Sequence, residues 1–293
     1  MKPYYVKLIV GLRALGVQVE VMPHDRDTTL ATVDAAPGMH IVDHGSLRHP
    51  RVLNTGIAYI YPFWNLDPWG IRALSSIASM RFDQNAVDTA AAAEFSSRLR
   101  KRLVGARISR YSQAEQVVTL PSGHIAVFLQ SEAHRGVAET CYLTMRQMLA
   151  ALLARDDPRA IVIKPHPRDS DPKTRSYLAR LGVRDARVMV VDANIHDILA
   201  RAAVAVTINS AVGIEAHLHR VPVVLCGQSD FHHAAVTVTD RFAMGAAIAK
   251  AEATDWAHDA YLHWYLAGQC LNAGKPSLVV DFLAKIASVL PSA

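Results

Sequence analysis

Two short segments of the sequence concentrate residues suited to a phosphate group. The first is Lys164-Pro165-His166-Pro167. Its prolines hold the chain extended and remove two backbone donors, so a cation and an imidazole are presented with little conformational freedom. Lys164 supplies a point charge, and His166 can donate a hydrogen bond or a proton. A charge-assisted hydrogen bond of this kind is worth roughly 1.5–3 kcal/mol. The second segment is Thr207-Ile208-Asn209-Ser210-Ala211-Val212-Gly213-Ile214-Glu215-Ala216. It reads as a strand end passing into a helix, with Ser210 at the expected N-cap. Free amides and the helix dipole would make an anion site there. Gly213 would allow close backbone approach. Glu215, about one helical turn further on, could accept hydrogen bonds from ribose hydroxyls.

Other groups are less specific. Asp25-Arg26-Asp27 has the D-x-D spacing that some transferases use for a metal, but it lies in an expected turn. Asp169 and Asp171 read as loop acids. His232 and His233 are adjacent, a spacing that suits a shared metal poorly. No Walker loop, HExxH, zinc-knuckle spacing or GxSxG elbow occurs, and a site that works without a metal is expected. Candidate general bases are Glu132 and Asp25, with Asp67 behind them.

The elements that must position these residues are clearest after Pro121-Ser122-Gly123, where a boundary is expected. Strands are expected at 125–129, 160–163, 188–191, 204–208 and 221–225, separated by helices near 137–154, 173–181, 195–202 and 211–219. Such alternation indicates a parallel sheet covered on both faces, and right-handed crossovers make it Rossmann-like. In an open parallel sheet, ligands bind beyond the carboxyl ends of the strands. The residues that follow these strands are strongly polar. Gln130, Ser131, Glu132, His134 and Arg135 follow the first, the Lys164 segment the second and Asp192 the third. Asn209 and Ser210 follow the fourth, and Gly227, Gln228 and Ser229 the fifth.

The first 121 residues read as an α/β domain. A helix is expected over 4–15, ending at Gly16, and a strand at Val17–Met22. Apolar segments lie at 39–42 and 57–61, and two helices are expected between Trp69 and Val104. An open α/β domain normally begins with a strand, so a first strand is expected to be missing. The aromatic segment Asn54–Gly70 is a candidate acceptor surface. The expected division is 1–121, 122–273 and a C-terminal helix at 274–293, with an aromatic helix over 256–273.

The chain has 293 residues, 51% of them hydrophobic, and a formal charge of +5. That size and composition suit two packed α/β domains. The charge is too diffuse to argue for nucleic acid. Its densest run, Arg98 to Arg107, reads as a solvated helix end or as a contact for lipid head groups or an anionic glycan. Cys141, Cys226 and Cys270 are widely spaced and read as reduced thiols. No apolar run reaches the ~20 residues of a membrane span. Lys7 and Arg13 interrupt the N-terminal apolar stretch, so it does not read as a signal peptide. A cytoplasmic protein is expected, with peripheral contact at the inner face of the membrane.

The residues KPHPRD, followed by HDILARAAVAVTINSAVGIEAHLHRVPVVLCGQSDFHH, resemble the bacterial capsule polysaccharide biosynthesis family. That family includes β-Kdo transferases and related capsule synthesis and export proteins. The resemblance runs from about Val127 to His233, and the first 120 residues match much less well. It implies a GT-B-like α/β fold of two Rossmann-like domains, with the nucleotide-sugar site in the C-terminal one. It also implies a CMP-activated sugar, CMP-Kdo, as donor, a glycan or glycolipid acceptor, and inversion at the anomeric carbon. It implies that Lys164 and His166 face the donor phosphate, Ser210 the phosphate or its neighbour, and Glu215 the nucleoside. Together with the residues that follow the strands, the expected catalytic set is His166, Glu132 and Asp25, and the expected donor set is Lys164, His166, Asn209, Ser210, Gly213, Glu215 and Gln228, with no cofactor or metal. A UDP-sugar transferase or epimerase is the alternative enzyme class, and Arg135 or Arg168 could serve its extra phosphate. A non-enzymatic capsule assembly or export protein is the other alternative.

Overall fold

The computed structural model describes residues 1–131 and 135–289. Two compact units divide the chain: Met1–Met80 with Trp264–Ala293, and Arg81–His263. In chain order the first unit opens with α1 (Pro3–Ala14), α2 (Thr29–Ala35), β1 (His40–Asp43), β2 (Val52–Ile57) and β3 (Phe63–Asp67). The second unit contains α3 (Thr89–Leu103), β4 (His124–Phe128), α4 (Arg135–Ala138), α5 (Met145–Leu153), β5 (Ile161–Lys164) and α6 (Pro172–Arg184). It continues with β6 (Val188–Val190), α7 (Ile195–Leu199), β7 (Ala202–Thr207), α8 (Val212–Leu218), β8 (Val223–Leu225) and β9 (Val236–Thr237), then α9 (Met244–Ala253) and α10 (His258–Leu262). A π-helical turn, His263–Gln269, leads into β10 (Leu271–Asn272) and α11 (Leu278–Val289) of the first unit.

The first unit carries a four-stranded sheet of order β1-β2-β3-β10, in which only the β1–β2 pair is parallel. The chain is α/β as expected, and the first sheet is small and mixed. Pro3 sits in the first turn of α1, where a missing N–H costs nothing, and Gly16 follows with φ +79°. Tyr4 of α1 stacks on Trp64 of β3 with ring centroids 4.0 Å apart, both in the core with Leu53, Leu66, Leu278 and Phe282. The expected strand at 17–22 does not form. Its alternating residues have no neighbouring strand, and Val17, Val21 and Met22 are exposed. The proposed aromatic acceptor surface is largely core: Phe63 and Trp64 are buried, and Tyr61 and Trp69 are exposed.

The second unit carries a six-stranded, all-parallel sheet of order β6-β5-β4-β7-β8-β9. Numbered by appearance within the unit, that order is 3-2-1-4-5-6, the doubly wound Rossmann arrangement. All five expected strands form, and β9 is a sixth that two residues gave too little pattern to reveal. The four inner strands, β5, β4, β7 and β8, are short, apolar and buried at their centres, as expected of a sheet covered on both faces, and the edge strands β6 and β9 are partly exposed. Thr144 caps α5 in a reciprocal capping box with Gln147, and Asp171 caps α6 through the N–H groups of Lys173 and Thr174. The units part at Met80/Arg81 and rejoin at His263/Trp264, whereas the sequence suggested a boundary near 121. The reason is α3, which packs against α8 and α10. Bidentate pairing of Arg100 with Asp259, Nη1 to Oδ1 at 2.8 Å and Nη2 to Oδ2 at 3.2 Å, fastens it there. Arg107 similarly pairs with Asp197 at 2.7 Å. Two cations of the basic run therefore serve packing within the unit.

Candidate functional site

In this strand order the chain reverses direction across the sheet between β4 and β7. The loops leaving those strands diverge to opposite faces and leave a crevice at their carboxyl ends. Gln130 follows β4, and Asn209 follows β7. Their side chains lock the crevice floor: the Asn209 backbone N–H donates to Gln130 Oε1 at 2.9 Å, and Gln130 Nε2 donates to Asn209 Oδ1 at 3.0 Å. Asn209 Nδ2 donates onward to Thr140 Oγ1 at 2.8 Å and to the Gln228 carbonyl at 2.9 Å. Gln228 N–H donates to the Thr140 carbonyl at 2.7 Å. One asparagine thus ties together the loops after β4, β7 and β8. Both of its amide protons are committed, so its role is positioning.

The Lys164 segment leaves β5 beside this floor. Lys164 is 5% exposed, and its ammonium turns toward the end of β6. It donates to the Ala193 carbonyl at 2.6 Å and to Asp192 Oδ1 at 3.3 Å. This differs from the expected phosphate contact, because two of its three protons brace the neighbouring loop. His166 Nδ1 accepts the Arg168 backbone N–H at 3.2 Å. In that bond the neutral ring carries its proton on Nε2. The His166 ring meets Tyr111 edge to face at 5.3 Å.

Tyr111 belongs to a loop that sequence reasoning passed over. That loop is stitched to α7 and α8. His196 Nε2 donates to the Ile108 carbonyl at 3.0 Å, Gln113 Oε1 accepts from Ile195 N–H at 3.1 Å, and Ser109 hydrogen-bonds the carboxyl of Glu215. The visible signal was Ser109-Arg110-Tyr111, two polar side chains and an aromatic in an otherwise unstructured stretch. Glu215 is 2% exposed. Burial raises its pKa to about 7, against smaller lowering effects of Ser109 and Arg110. The carboxyl is therefore partly protonated near neutrality and able to donate as well as accept.

The sequence matches the family described as Capsule polysaccharide biosynthesis protein over residues 88–273, more than half of the chain. The chain belongs to that family. Among solved structures, it is similar to the β-Kdo 2,7 transferase of KpsC from Thermosulfurimonas dismutans, with 14% identity, 97% of each chain covered and a TM-score of 0.56. It is also similar to the β-Kdo 2,4 transferase of the same KpsC, with 17% identity, 82% of this chain and 79% of that chain covered, and a TM-score of 0.52. At these identities the likeness establishes a shared fold. No curated protein matches.

The remaining expected residues of this capsule-family chain divide as follows. Ser210 stands at the edge of the crevice, and its Oγ accepts from Val212 N–H at a long 3.4 Å. Ala211 occupies the N-cap of the seven-residue α8 and makes no side-chain cap bond, which corrects the assignment of Ser210. Gly213 is needed for packing: a Cβ there would lie 2.6 Å from the Phe231 ring. Asp25 belongs to the first unit and sits in an exposed turn, its Oδ1 accepting from Asp27 N–H at 3.0 Å. Asp67 is buried in the first unit, where it accepts from the N–H groups of Trp69, Gly70 and Ser76 and from Ser76 Oγ. Its oxygens organise the chain after β3. Glu132 and His134 lie outside the described residues. Among the described residues, no group of three or more His, Cys, Asp or Glu is arranged to hold a metal ion, and no helix is long and apolar enough to cross a membrane.

Proposed function

We propose that this chain is a glycosyltransferase of capsular or surface polysaccharide synthesis. In this reading it transfers Kdo, with inversion, from a CMP-activated donor to a glycan or glycolipid acceptor, working at the inner face of the membrane. The carrying observation is the polar floor of Gln130, Asn209, Thr140 and Gln228 at the reversal point of a 3-2-1-4-5-6 parallel sheet. A nucleotide sugar is the ligand class that such a crevice suits. The family description and the β-Kdo transferase descriptions of both similar structures support the sugar and the pathway class.

The reaction needs a base for the acceptor hydroxyl and stabilisation of the leaving phosphate. The hydroxyl oxygen bonds to the anomeric carbon, the bond from that carbon to the phosphate oxygen breaks, and its electron pair leaves on CMP. The hydroxyl proton passes to a carboxylate, for which Glu132, two residues after Gln130, is our candidate. His166 Nε2–H is the donor offered to the departing phosphate, and Glu215 holds the nucleoside. Titration with CMP and with UDP by calorimetry tests the reading. CMP binding is expected, and indifference to both nucleotides would overturn it.

No metal is needed in this reading. A phosphate monoester leaving group carries about two negative charges at most, which neighbouring cationic side chains and N–H donors can balance. Turnover is therefore expected to survive excess chelator. Activity abolished by chelator and restored by magnesium or manganese would instead indicate a diphosphate donor.

A further inference from the structure

With Lys164 committed to Ala193 and Asp192, the positive charge beside His166 must come from elsewhere. Arg168 is the nearest source in the chain. Its guanidinium lies 4.8 Å from the centre of the Tyr111 ring, and Arg110 approaches the same ring at 5.5 Å. Arg168 makes no ion pair among the described residues. The neighbouring acids are used locally: Asp169 Oδ1 accepts from Asp171 N–H, and Asp171 caps α6 through Lys173, Thr174 and the Thr174 hydroxyl. An exposed guanidinium that is held on a ring and left without a carboxylate is preorganised for an anion. Its planar fork fits two phosphate oxygens at once, and it sheds water more readily than an ammonium.

We propose that Arg168, seated on the Tyr111 ring, is the cation that meets the donor's phosphate, and that Tyr111 is its positioning residue. The proposal rests on the donor-site reading given above. The ring acts on both neighbours at once: its face carries the Arg168 guanidinium and it packs edge to face with His166. One aromatic side chain thus sets the separation between the guanidinium and the imidazole. The loop that carries Tyr111 also carries Ser109, which holds Glu215, so donor phosphate and nucleoside would be gripped by residues fixed through one segment. Lys164 becomes a brace of the sheet edge.

The test uses the full chain and two probes, CMP and inorganic phosphate, titrated by calorimetry. Arg168→Met and Tyr111→Leu are each expected to weaken both probes about tenfold, the loss of about 1.4 kcal/mol. Tyr111→Phe keeps the ring and is expected to bind within twofold of the original chain. The double variant Arg168→Met/Tyr111→Leu is expected to match Arg168→Met alone, because Tyr111 acts through Arg168. A Tyr111 role in stability alone would instead leave the two losses additive. Lys164→Met, compared as folded protein by circular dichroism, is expected to lose less affinity than Arg168→Met. Unchanged phosphate affinity in Arg168→Met, additive losses, or a larger loss in folded Lys164→Met would each overturn the proposal. A chain that binds phosphate through Arg168 but not CMP would keep this inference and remove the CMP-donor reading.

Discussion

His166 and Lys164 are two residues apart, yet they do different things. The imidazole lies half-buried with its tautomer set by Arg168 N–H, whereas the ammonium is turned into the sheet edge. Replacing His166 with Ala is expected to lower turnover by about 10²–10⁴-fold if it assists departure of the phosphate. The fold should survive, because a side chain at the strand ends adds little core area. Near-normal turnover in folded His166→Ala would remove it from the mechanism. Glu215 allows a sharper test. Its pKa is about 7 in the folded chain against an ordinary value of 4.5. Between those values the folded state holds a proton that the unfolded state has released. Its contribution to stability is thus complete below pH 4.5 and is lost as pH rises through 7. Glutamine mimics the protonated form without that loss. Glu215→Gln is expected to match the original chain at pH 4.5 and to exceed it at pH 8 by about 2–4 kcal/mol. Denaturant unfolding at the two pH values checks this, and an equal difference at both would show that Glu215 is ionised throughout.

At the scale of elements, the site depends on loops held from one side by strands and from the other by each other. Asn209 is the joint. Asn209→Ala removes three side-chain hydrogen bonds, to Gln130, Thr140 and the Gln228 carbonyl. It is expected to cost about 2–4 kcal/mol and to weaken CMP binding, read by denaturant unfolding and calorimetry on the same preparation. Gly213→Ala tests α8 against its neighbour. The added methyl meets the Phe231 ring and is expected to cost about 1–3 kcal/mol through overpacking; a neutral result would mean the ring yields. The five expected strands of the second unit were legible because each is a short apolar run closed by polar residues. Val17–Met22 shows the same alternation and stays exposed, because period-two patterning states what a strand would bury and not whether a partner strand exists. The Lys164 segment revealed its position in the fold but not the direction of its ammonium, which depends on Ala193 across the sheet. The loop carrying Ser109 and Tyr111 has no periodicity at all. Its importance lies in contacts with Glu215 and His166, more than 50 residues onward in the sequence.

At the scale of the whole molecule, the histidines shifted by burial all lie in the larger unit. His196 and His219 pair at 2.9 Å, and His217 and His258 pair at 2.8 Å, so that α8 is flanked by two neutral histidine pairs. Burial lowers all four. His219 and His258 fall to about 4, and His196 and His217 are shifted in the same direction. Protonating the accepting ring of a pair removes its acceptor nitrogen, and protonating both sets two cations in contact. A histidine held neutral in the fold takes up its proton on unfolding, so stability is complete above the unfolded value near 6.5 and falls with pH toward 4. Glu215 acts in the opposite sense between 4.5 and 7, but it is one group against four. The net proton uptake on unfolding is therefore positive across this window. The melting temperature is expected to drop by about 5 °C or more between pH 7 and pH 5. His258→Gln, which leaves one partner unable to charge, is expected to flatten that drop, with little change at pH 7.5. A competing source of acid sensitivity is the depressed carboxylates, among them Asp157 and Asp185, held below their ordinary values by Arg159 and Arg187, with Asp43 and Asp171 shifted the same way. Those acids take up protons only below about pH 4. A melting temperature that stays level from pH 7 to pH 5 and collapses below 4 would assign acid unfolding to them and leave the histidine pairs without a part in it.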